Sequence, residues 1–108
     1  MQTYNARLCR FSSNRLGPTP IFSAIGPRNA IIEGLLVGSD RPTEFCFSRG
    51  AEGDLPGVWQ VSPGGTVFLD RGDLADWPRI RQDTLLVSQV GRDAAVLQGC
   101  LLWSEPGP

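Results

Sequence analysis

Short apolar runs bounded by glycine, proline and polar residues occupy most of the chain after residue 29. Residues 58–61 and 66–69 lie on either side of a four-residue loop of serine, proline and glycine, which is the pattern of a β-hairpin. A second hairpin is predicted for residues 84–90 and 95–103, which flank the tripeptide Gly91-Arg92-Asp93. Two hairpins within 50 residues favour a domain built from short strands joined by turns.

Three earlier segments are also predicted to be strands. Apolar and polar residues alternate from Tyr4 to Leu8, and Phe45 and Phe47 alternate with polar residues within 44–48. Residues 30–37 form a buried run in which Gly34 indicates a bulge or a close backbone contact. The sequence therefore predicts an all-β fold, a small barrel or sandwich of about seven short strands.

The segment 9–29 is dense in residues that interrupt regular structure, including Pro18, Pro20 and Pro27. Because proline fixes φ and donates no ladder hydrogen bond, neither a helix nor a central strand is expected there. The segment is nevertheless too apolar for a linker, since it contains Phe11, Leu16, Ile21, Phe22 and Ile25. We expect a long irregular arm or large loop that docks either on its own domain or on a neighbouring molecule.

One short helical turn is expected at residues 73–77, because Pro78 prevents its continuation. Asp70, Asp73 and Asp76 recur at every third position around this turn. A calcium loop needs more oxygen ligands and a different spacing. A solvated acidic edge is therefore expected here, not a metal site.

Length and composition indicate one domain covering residues 1–108. No apolar run approaches the roughly 18 residues needed to span a bilayer. The first residues also lack the apolar core of a signal peptide, so neither membrane insertion nor export by that route is expected. Cys9, Cys46 and Cys100 are odd in number and predict reduced thiols, with Cys46 and Cys100 as small core residues.

The available chemistry is narrow, because the chain has no histidine and all ten of its basic residues are arginine. The usual proton shuttle near neutral pH and the commonest metal ligand are both missing. No phosphate-binding loop or nucleophile motif is present. We therefore expect a protein that is not an enzyme and that holds no cofactor or metal.

Charge is distributed unevenly along the chain. Four arginines and no acidic residue precede Glu33, whereas six arginines and eleven acidic residues follow from there on. Four arginines spread over 32 residues are too dilute for a nucleic-acid patch, so nucleic-acid binding is not expected. A basic leader on an acidic body favours head-to-tail contact between copies, or contact with an acidic partner.

The three tryptophans are candidates for core packing or for interface anchors. Trp59 and Trp103 lie in predicted strands and are expected in the core. Trp77 lies in the helical turn before a proline and is expected to anchor a partner at the surface.

The segment 66–103 resembles the C-terminal part of the head–tail joining (stopper or connector) proteins of long-tailed phages. The pattern is a strand at 66–69, an acidic turn with Asp73-Leu74, and Gln82-Asp83-Thr84 leading into a strand at 85–90. An apolar strand at 95–103 completes it. Two features depart from the family: a Gly-Asp turn is replaced by Gln82-Asp83, and an aromatic middle strand is missing.

The resemblance implies a subunit of the ring between capsid and tail, found in virus particles assembled in the host cytoplasm. Its partners would be further copies of itself and other virion proteins. The residues predicted to form the contacts are Tyr4, Arg7, Arg10, Arg15, Phe22, Asp70, Asp73, Asp76 and Trp77.

Two other functions are compatible with the same residues. One is a capsid decoration or cement protein that clamps shell subunits with its arm. The other is a carbohydrate- or peptide-binding module that uses Trp77.

Overall fold

The computed structural model describes residues 6–62 and 64–105, and for residues 25–27 it describes the backbone alone. The strands within those ranges are β1 (Arg7–Ser13), β2 (Thr19–Ser39), β3 (Thr43–Arg49), β4 (Gly53–Asp54), β5 (Trp59–Val61), β6 (Thr66–Leu69), β7 (Ile80–Val90) and β8 (Leu97–Ser104). No helix is assigned in this part of the chain, and all strand pairs are antiparallel. The predicted all-β fold is confirmed, with eight strands where about seven were expected.

The strand β2 is 21 residues long and is shared by two parts of the sheet. Its first part, residues 19–30, pairs with β7, and its second part, residues 31–39, pairs with β8. Register shifts interrupt β2 along its length, and such bulges bend a strand and increase its twist. The sheet therefore curls at β2 into a half-barrel.

The curl divides the sheet into two halves. Half A has the order β1-β8-β2-β6 and uses the second part of β2. Half B has the order β2-β7-β3 and uses the first part of β2, with β4 and β5 both pairing with β3. Each half turns one face toward a single hydrophobic core.

The core follows from the alternation of side chains along the strands. Leu35 and Val37 of β2 in half A point inward, as do Phe45 and Phe47 of β3 in half B, and all four are at most 1% exposed. Leu85, Val87, Leu97 and Leu101 add further fully buried side chains from β7 and β8. Because successive side chains of a strand point to opposite faces, the residues between these positions form the outer faces.

The prediction of an irregular arm at residues 9–29 is wrong, because most of these residues belong to β1 and to the first part of β2. The first part of β2 pairs with β7 on one side only, and an edge strand tolerates Pro20 because no partner needs its missing N–H. Two of the register shifts lie near Pro20 and around residues 25–28, where prolines interrupt the ladder. Phe11, Ile21 and Phe22 are buried in the chain's own core.

Residues 14–18, which connect β1 to β2, are also attached to the domain. The backbone N–H of Gln89 donates to the carbonyl oxygen of Leu16 at 3.1 Å. The buried side-chain amide of Gln89 donates to the carbonyl oxygens of Ser13 and Ala95 and accepts from the N–H of Ala95 at 2.7 Å. The segment after β1 therefore docks on its own domain, and it provides no arm for clamping a neighbour.

The helical turn expected at 73–77 is a run of turns over residues 71–76. The N–H of Leu74 donates to the carbonyl oxygen of Asp70 at 3.1 Å, which closes one i→i−4 ring. The N–H of Trp77 donates to the carbonyl oxygen of Leu74 at 2.9 Å. Leu74 is buried and fixes the turn on the core, while Asp76 is exposed.

Candidate assembly surface

The outer face of half A carries apolar side chains in register across its strands. In one cross-strand row, Leu8 of β1 lies opposite Leu102 of β8, which in turn lies opposite Gly34 of β2. In the next row, Arg10 lies opposite Cys100, Cys100 opposite Leu36 and Leu36 opposite Phe68. We call these apolar residues the outer stripe; its members are Leu8, Leu36, Phe68, Cys100 and Leu102.

The outer stripe is accessible to solvent. Leu8 is 57% exposed, Leu36 is 40% exposed and Phe68 is 58% exposed, whereas Cys100 and Leu102 are half-buried between them. The ring of Phe68 lies over Gly34, where an added Cβ would be 3.4 Å from the ring. Single exposed apolar residues are normal in proteins, but apolar residues that adjoin across four strands indicate a contact surface.

A shallow depression of about 700 Å³ continues from the stripe toward the ends of the strands. Its floor includes Leu36, Cys100 and the glycines Gly38 and Gly99, and Arg10 stands at its rim. Gly38 has no side chain on this face, so an incoming side chain can approach the sheet closely there. The depression is thus open and partly apolar, which suits a protein surface better than a small molecule.

The outer face of half B is different in kind. Its strands present the polar side chains of Ser23, Glu44, Ser48, Thr84 and Ser88, of which Ser23, Thr84 and Glu44 form polar pairs across the strands. The hydroxyls of Ser23 and Thr84 are 3.1 Å apart, and Nε2 of Gln60 donates to Oε1 of Glu44 at 2.8 Å. Its apolar members are Pro20, Cys46, Leu86 and Val90; Cys46 and Leu86 are half-buried, and Pro20 and Val90 are exposed, Val90 at 50%. This face is that of an ordinary solvated sheet.

The strand β1 is an edge of half A, since among the described strands it pairs with β8 alone. Open edges can pair with another chain, and proteins commonly protect them with charged side chains. Arg7 and Arg10 lie on this edge and are exposed, and the guanidinium of Arg7 lies 5.3 Å from the ring centroid of Trp103. The apolar face, not the protected edge, is therefore the better candidate for contact.

The predicted basic contact residues have different positions in the structure. Arg10 borders the outer stripe, whereas Arg7 lies on the opposite face of β1, with its guanidinium over the ring of the buried Trp103. Arg15 instead folds back onto its own turn, where its Nη2 donates to the carbonyl oxygen of Pro18 at 2.8 Å. Tyr4 lies outside the described residues.

Phe22 was predicted to be an interface residue, and this is wrong for the folded chain. It is 7% exposed, and its ring packs on that of Trp103 with the centroids 5.0 Å apart. The burial of Trp103 confirms its predicted core role. The sequence could not show that the breaker-rich segment around Phe22 would be an edge strand facing the core.

The predicted surface anchor Trp77 packs against its own domain. It joins Phe47 and Trp59 in an aromatic cluster, with centroids 5.2 Å and 6.1 Å from its own. Its indole Nε1 donates to the carbonyl oxygen of Pro56 at 3.1 Å. The ring of Trp77 and its N–H both contact its own domain, and the side chain is half-buried against the core. The prediction that Trp77 anchors a partner at the surface is therefore wrong.

The acidic residues of the neighbouring turn bind each other's backbone. Oδ1 of Asp70 accepts from the N–H of Asp73, and Oδ2 of Asp73 accepts from the N–H of Asp70, both at 3.0 Å. The N–H of Asp73 is the main reason why the pKa of Asp70 lies below its usual value. Together with the exposed Asp76 they form a solvated acidic edge, and within the described residues no cluster suited to a metal ion is found.

The cysteines do not follow the prediction for Cys46 and Cys100. Both are half-buried and point outward, Cys46 on half B opposite Ser88 and Cys100 on half A opposite Arg10 and Leu36. Burial, with a contribution from the Asp54 carboxylate, raises the pKa of the Cys46 thiol. Cys9 is the one that packs against the core, where its Sγ contacts the carbonyl oxygen of Ile21 at 3.5 Å.

The outer stripe was missed in the sequence, although a signal for part of it existed. We treated residues 66–69 as one continuous apolar run. In a strand, however, Phe68 and Leu69 point to opposite faces of the sheet. The same holds for Leu36 between Leu35 and Val37. Side chains alternate between the two faces of a strand, but the sequence does not say which of the two faces is turned toward the core. These residues can therefore be placed on the outer face only once the structure shows which positions point inward.

The part of the chain that the structure describes contains no helix of sufficient length and apolar character to cross a membrane. The sequence matches no known family and no curated protein. Among solved structures, it is similar to a chain described under the words "Bacillus endospore appendages form a novel family of disulfide-linked pili". That similarity covers 99% of this chain and 93% of the other, with a TM-score of 0.55 and 14% sequence identity. At this identity the similarity concerns the fold alone.

Proposed function

We propose that this protein is a non-catalytic structural subunit that assembles with further copies of itself through the outer face of half A. The observation that carries the proposal is the outer stripe, in which Leu36 and Phe68 lie exposed side by side on neighbouring strands. Burying apolar surface of this kind gains roughly 25 cal/mol per Å². The polar outer face of half B offers no such gain.

A second copy of the chain is the occupant that fits this surface best. The stripe ends at Arg10, a cation without an ion-pair partner among the described residues, while the chain after residue 32 carries an excess of acidic side chains. Arg10 of one copy can therefore meet an acidic residue of the next while the stripe is buried. We propose that the contact joins this patch to a different patch of the next copy, which makes it head-to-tail.

Head-to-tail contacts form a closed ring or an open filament, depending on the rotation between successive copies. The resemblance of residues 66–103 to phage head–tail joining proteins suggests the ring, in a virus particle. The similarity of the fold to an appendage chain described as a pilus suggests the filament. We favour the filament, because that similarity extends over nearly the whole chain whereas the sequence resemblance covers only its C-terminal part.

The other two hypotheses have less support. A cement protein was inferred from a clamping arm, and the segment concerned is folded into the sheet. A carbohydrate- or peptide-binding module was inferred from Trp77, whose indole is engaged by Pro56 and by the aromatic cluster.

The proposal is tested by measuring native mass by light scattering over a range of protein concentrations, followed by negative-stain electron microscopy. We expect the mass to rise with concentration above the 11.7 kDa of one chain and the particles to be filaments. If the particles were closed rings, the proposal of self-assembly would stand, but the assembly would be a ring of the phage type and not a filament. A mass of one chain at every concentration would refute self-assembly.

Two matched substitutions locate the contact. Phe68→Glu places a charge on the outer face of half A, and Val90→Glu places one on the outer face of half B at a residue of similar exposure. We expect Phe68→Glu to remain a folded monomer and Val90→Glu to assemble as the parent does. Equal loss of assembly in both variants would contradict the assignment to half A.

A further inference from the structure

An arginine-lined cavity of about 290 Å³ lies at the end of half B, away from the outer stripe. The end of β3, the loop after it and the start of β7 build the cavity. The lining residues are Arg49, Glu52, Pro78, Arg79, Arg81 and Asp83.

None of the three guanidinium groups forms an ion pair among the described residues, although the charge of Arg49 acts on Asp83. The ion pairs among the described residues are Arg28–Glu105 and Arg71–Glu33, neither of which includes a cavity residue. Arg49 and Arg81 bind neutral oxygens instead. Nη2 of Arg49 donates to the carbonyl oxygen of Glu52 at 3.5 Å, and Nε of Arg81 donates to Oδ1 of Asn29 at 3.3 Å.

The carboxylate of Asp83 is already used for another purpose. It accepts from the N–H groups of Ala51 at 2.9 Å, Glu52 at 3.2 Å and Thr84 at 2.7 Å. Asp83 thereby holds the loop that follows Arg49 in place. Its role is to build the wall of the cavity, and its oxygens are occupied by backbone donors.

Arg49 has an unsatisfied donor at this place. Its Nε is buried and has no hydrogen-bond partner, the one side-chain atom in that condition among the described residues. Buried polar groups in proteins are almost always hydrogen-bonded, and an isolated buried donor on a charged group is especially costly. Since Nε has almost no accessible surface, an anionic oxygen in the cavity would satisfy it after a small movement of the Arg49 side chain.

The backbone around the cavity is held in a rarely adopted conformation. Gln82, between Arg81 and Asp83, has a φ of 47°, the only positive φ at a residue other than glycine in the described chain. The facing strand β2 shifts register between Ala24 and Asn29, opposite the same residues. Backbone strain and bulges of this kind are concentrated at functional sites, where they direct side chains.

We propose that this cavity binds a dianionic oxyanion of the phosphate type, either free or as the phosphate group of a small ester. Arg79, Arg81 and Nε of Arg49 donate to its oxygens. Guanidinium groups recognise such anions through short, charge-assisted hydrogen bonds. Three cations beside the carboxylates of Glu52 and Asp83 leave a net charge of about +1, which favours a dianion over a monoanion. The site is independent of the proposed assembly surface.

Isothermal titration of the full-length protein with inorganic phosphate tests the proposal, at mildly alkaline pH and with ionic strength held constant by sodium chloride. We expect saturable one-to-one binding and a higher melting temperature with phosphate than with chloride. A parallel titration with phosphoserine distinguishes the two sources. Binding of both, or of either one alone, supports the site and identifies its ligand; binding of neither overturns it.

Substitutions assign the donors. Arg79→Gln and Arg81→Gln should each weaken phosphate binding by about tenfold or more, because each removes charge-assisted hydrogen bonds. Arg92→Gln removes an exposed arginine from the turn after β7 and should leave binding unchanged. Equal weakening by Arg92→Gln would show that phosphate responds only to net charge, and the site would be refuted.

Arg49→Lys gives a signature that a purely structural role would not produce. The substitution keeps the positive charge but removes the buried Nε donor. We expect phosphate binding to weaken while the melting temperature without phosphate stays level or rises, since an unsatisfied group is lost. Unchanged phosphate affinity in this variant would overturn the assignment of Nε.

Discussion

The two halves of the sheet are alike toward the core and unlike toward the solvent. Inside, both contribute large apolar side chains, such as Leu35 and Leu101 from half A and Phe47 and Leu85 from half B. Outside, half A presents the outer stripe, whereas half B presents cross-strand polar pairs such as Ser23 with Thr84 and Glu44 with Gln60. Since folding requires only the inward faces to be apolar, the apolar outer face of half A calls for an explanation beyond folding.

The halves also differ in how their strands are held. In half A the glycines Gly34, Gly38 and Gly99 lie within β2 and β8, while β3 and β7 of half B contain no glycine. The buried polar residues also differ: those of half B are Asp83 and Gln89, which tie loops to the sheet, whereas those of half A are the smaller Ser13, Ser39 and Ser104. Half A thus combines close backbone approaches with small buried hydroxyl groups, and half B has the larger buried hydrogen-bonded side chains.

The largest expected effect comes from breaking the packing of half A at Gly99. A Cβ there would lie 2.8 Å from Cζ of the Phe11 ring and closer still to the carbonyl oxygen of Leu36. The backbone oxygen cannot move without disturbing the ladder, so Gly99→Ala should lower the free energy of unfolding by about 3 kcal/mol or more. Urea denaturation followed by circular dichroism measures this change.

Gly17→Ala is the matched control, because an added Cβ at Gly17 meets no atom within 4 Å. It lies in the connection between β1 and β2 and should change stability by about 0.5 kcal/mol or less. If Gly99→Ala proved as mild as this control, close packing would not distinguish half A from half B.

An intermediate effect is expected from removing the charge of Asp83 in half B. Asp83→Asn replaces one accepting oxygen by an amide that faces backbone N–H groups, which should destabilise the fold by about 2 kcal/mol at neutral pH. Burial alone would raise the pKa of Asp83, but the N–H groups of Ala51, Thr84 and Glu52, with the charge of Arg49, together lower it.

The sign of the pH dependence follows from that lowered pKa. Asp83 contributes its full stabilisation above the ordinary carboxyl pKa of about 3.9 and loses it as the pH falls through the lowered folded-state value. The difference in unfolding free energy between parent and Asp83→Asn should therefore shrink in acid. Unfolding curves at several pH values below neutrality measure it, and a difference that grew in acid would contradict this role.

The smallest effect on stability is expected for single-cysteine variants, whose thiol labelling compares the two outer faces directly. In variants that retain only Cys100 or only Cys46, a thiol reagent reports on half A and half B respectively. We expect the Cys100 variant to react more slowly at concentrations where copies assemble, and the Cys46 variant to react at the same rate when dilute or concentrated.

The raised pKa of Cys46 supplies an internal check on that experiment, since the thiolate is the reactive form. Its labelling rate should keep increasing with pH beyond the range expected of an ordinary thiol. If assembly slowed the labelling of Cys46 but not that of Cys100, the outer face of half B, and not that of half A, would be the contact surface.

Much of the strand pattern could be predicted, and the exceptions have a common cause. Neither predicted hairpin forms: β5 pairs with β3 and β6 with β2, while β7 pairs with β2 and β3 and β8 with β1 and β2. The strand β2 was missed over its first part, because whether Pro20 breaks a strand depends on whether a neighbour needs its N–H. Both errors concern pairing partners that are distant in sequence.

The candidate sites were less predictable than the strands. Arg10 was a predicted contact residue and borders the outer stripe, yet the stripe itself depends on four strands from separate parts of the chain. Nothing in the spacing of Arg49, Arg79 and Arg81 brings them together, since about 30 residues separate the first from the others. Only the pairing of β3 with β7 places them around one cavity.

The sequence by itself determined that the chain is built from β-strands, because side-chain alternation is a local property of the backbone. It also determined which reactive groups are missing, because composition needs no structure. Tertiary structure alone decided where β2 bends, which residues face outward beside one another, and which arginines converge. Those features arise from contacts between distant segments, whose geometry depends on the whole set of strand registers.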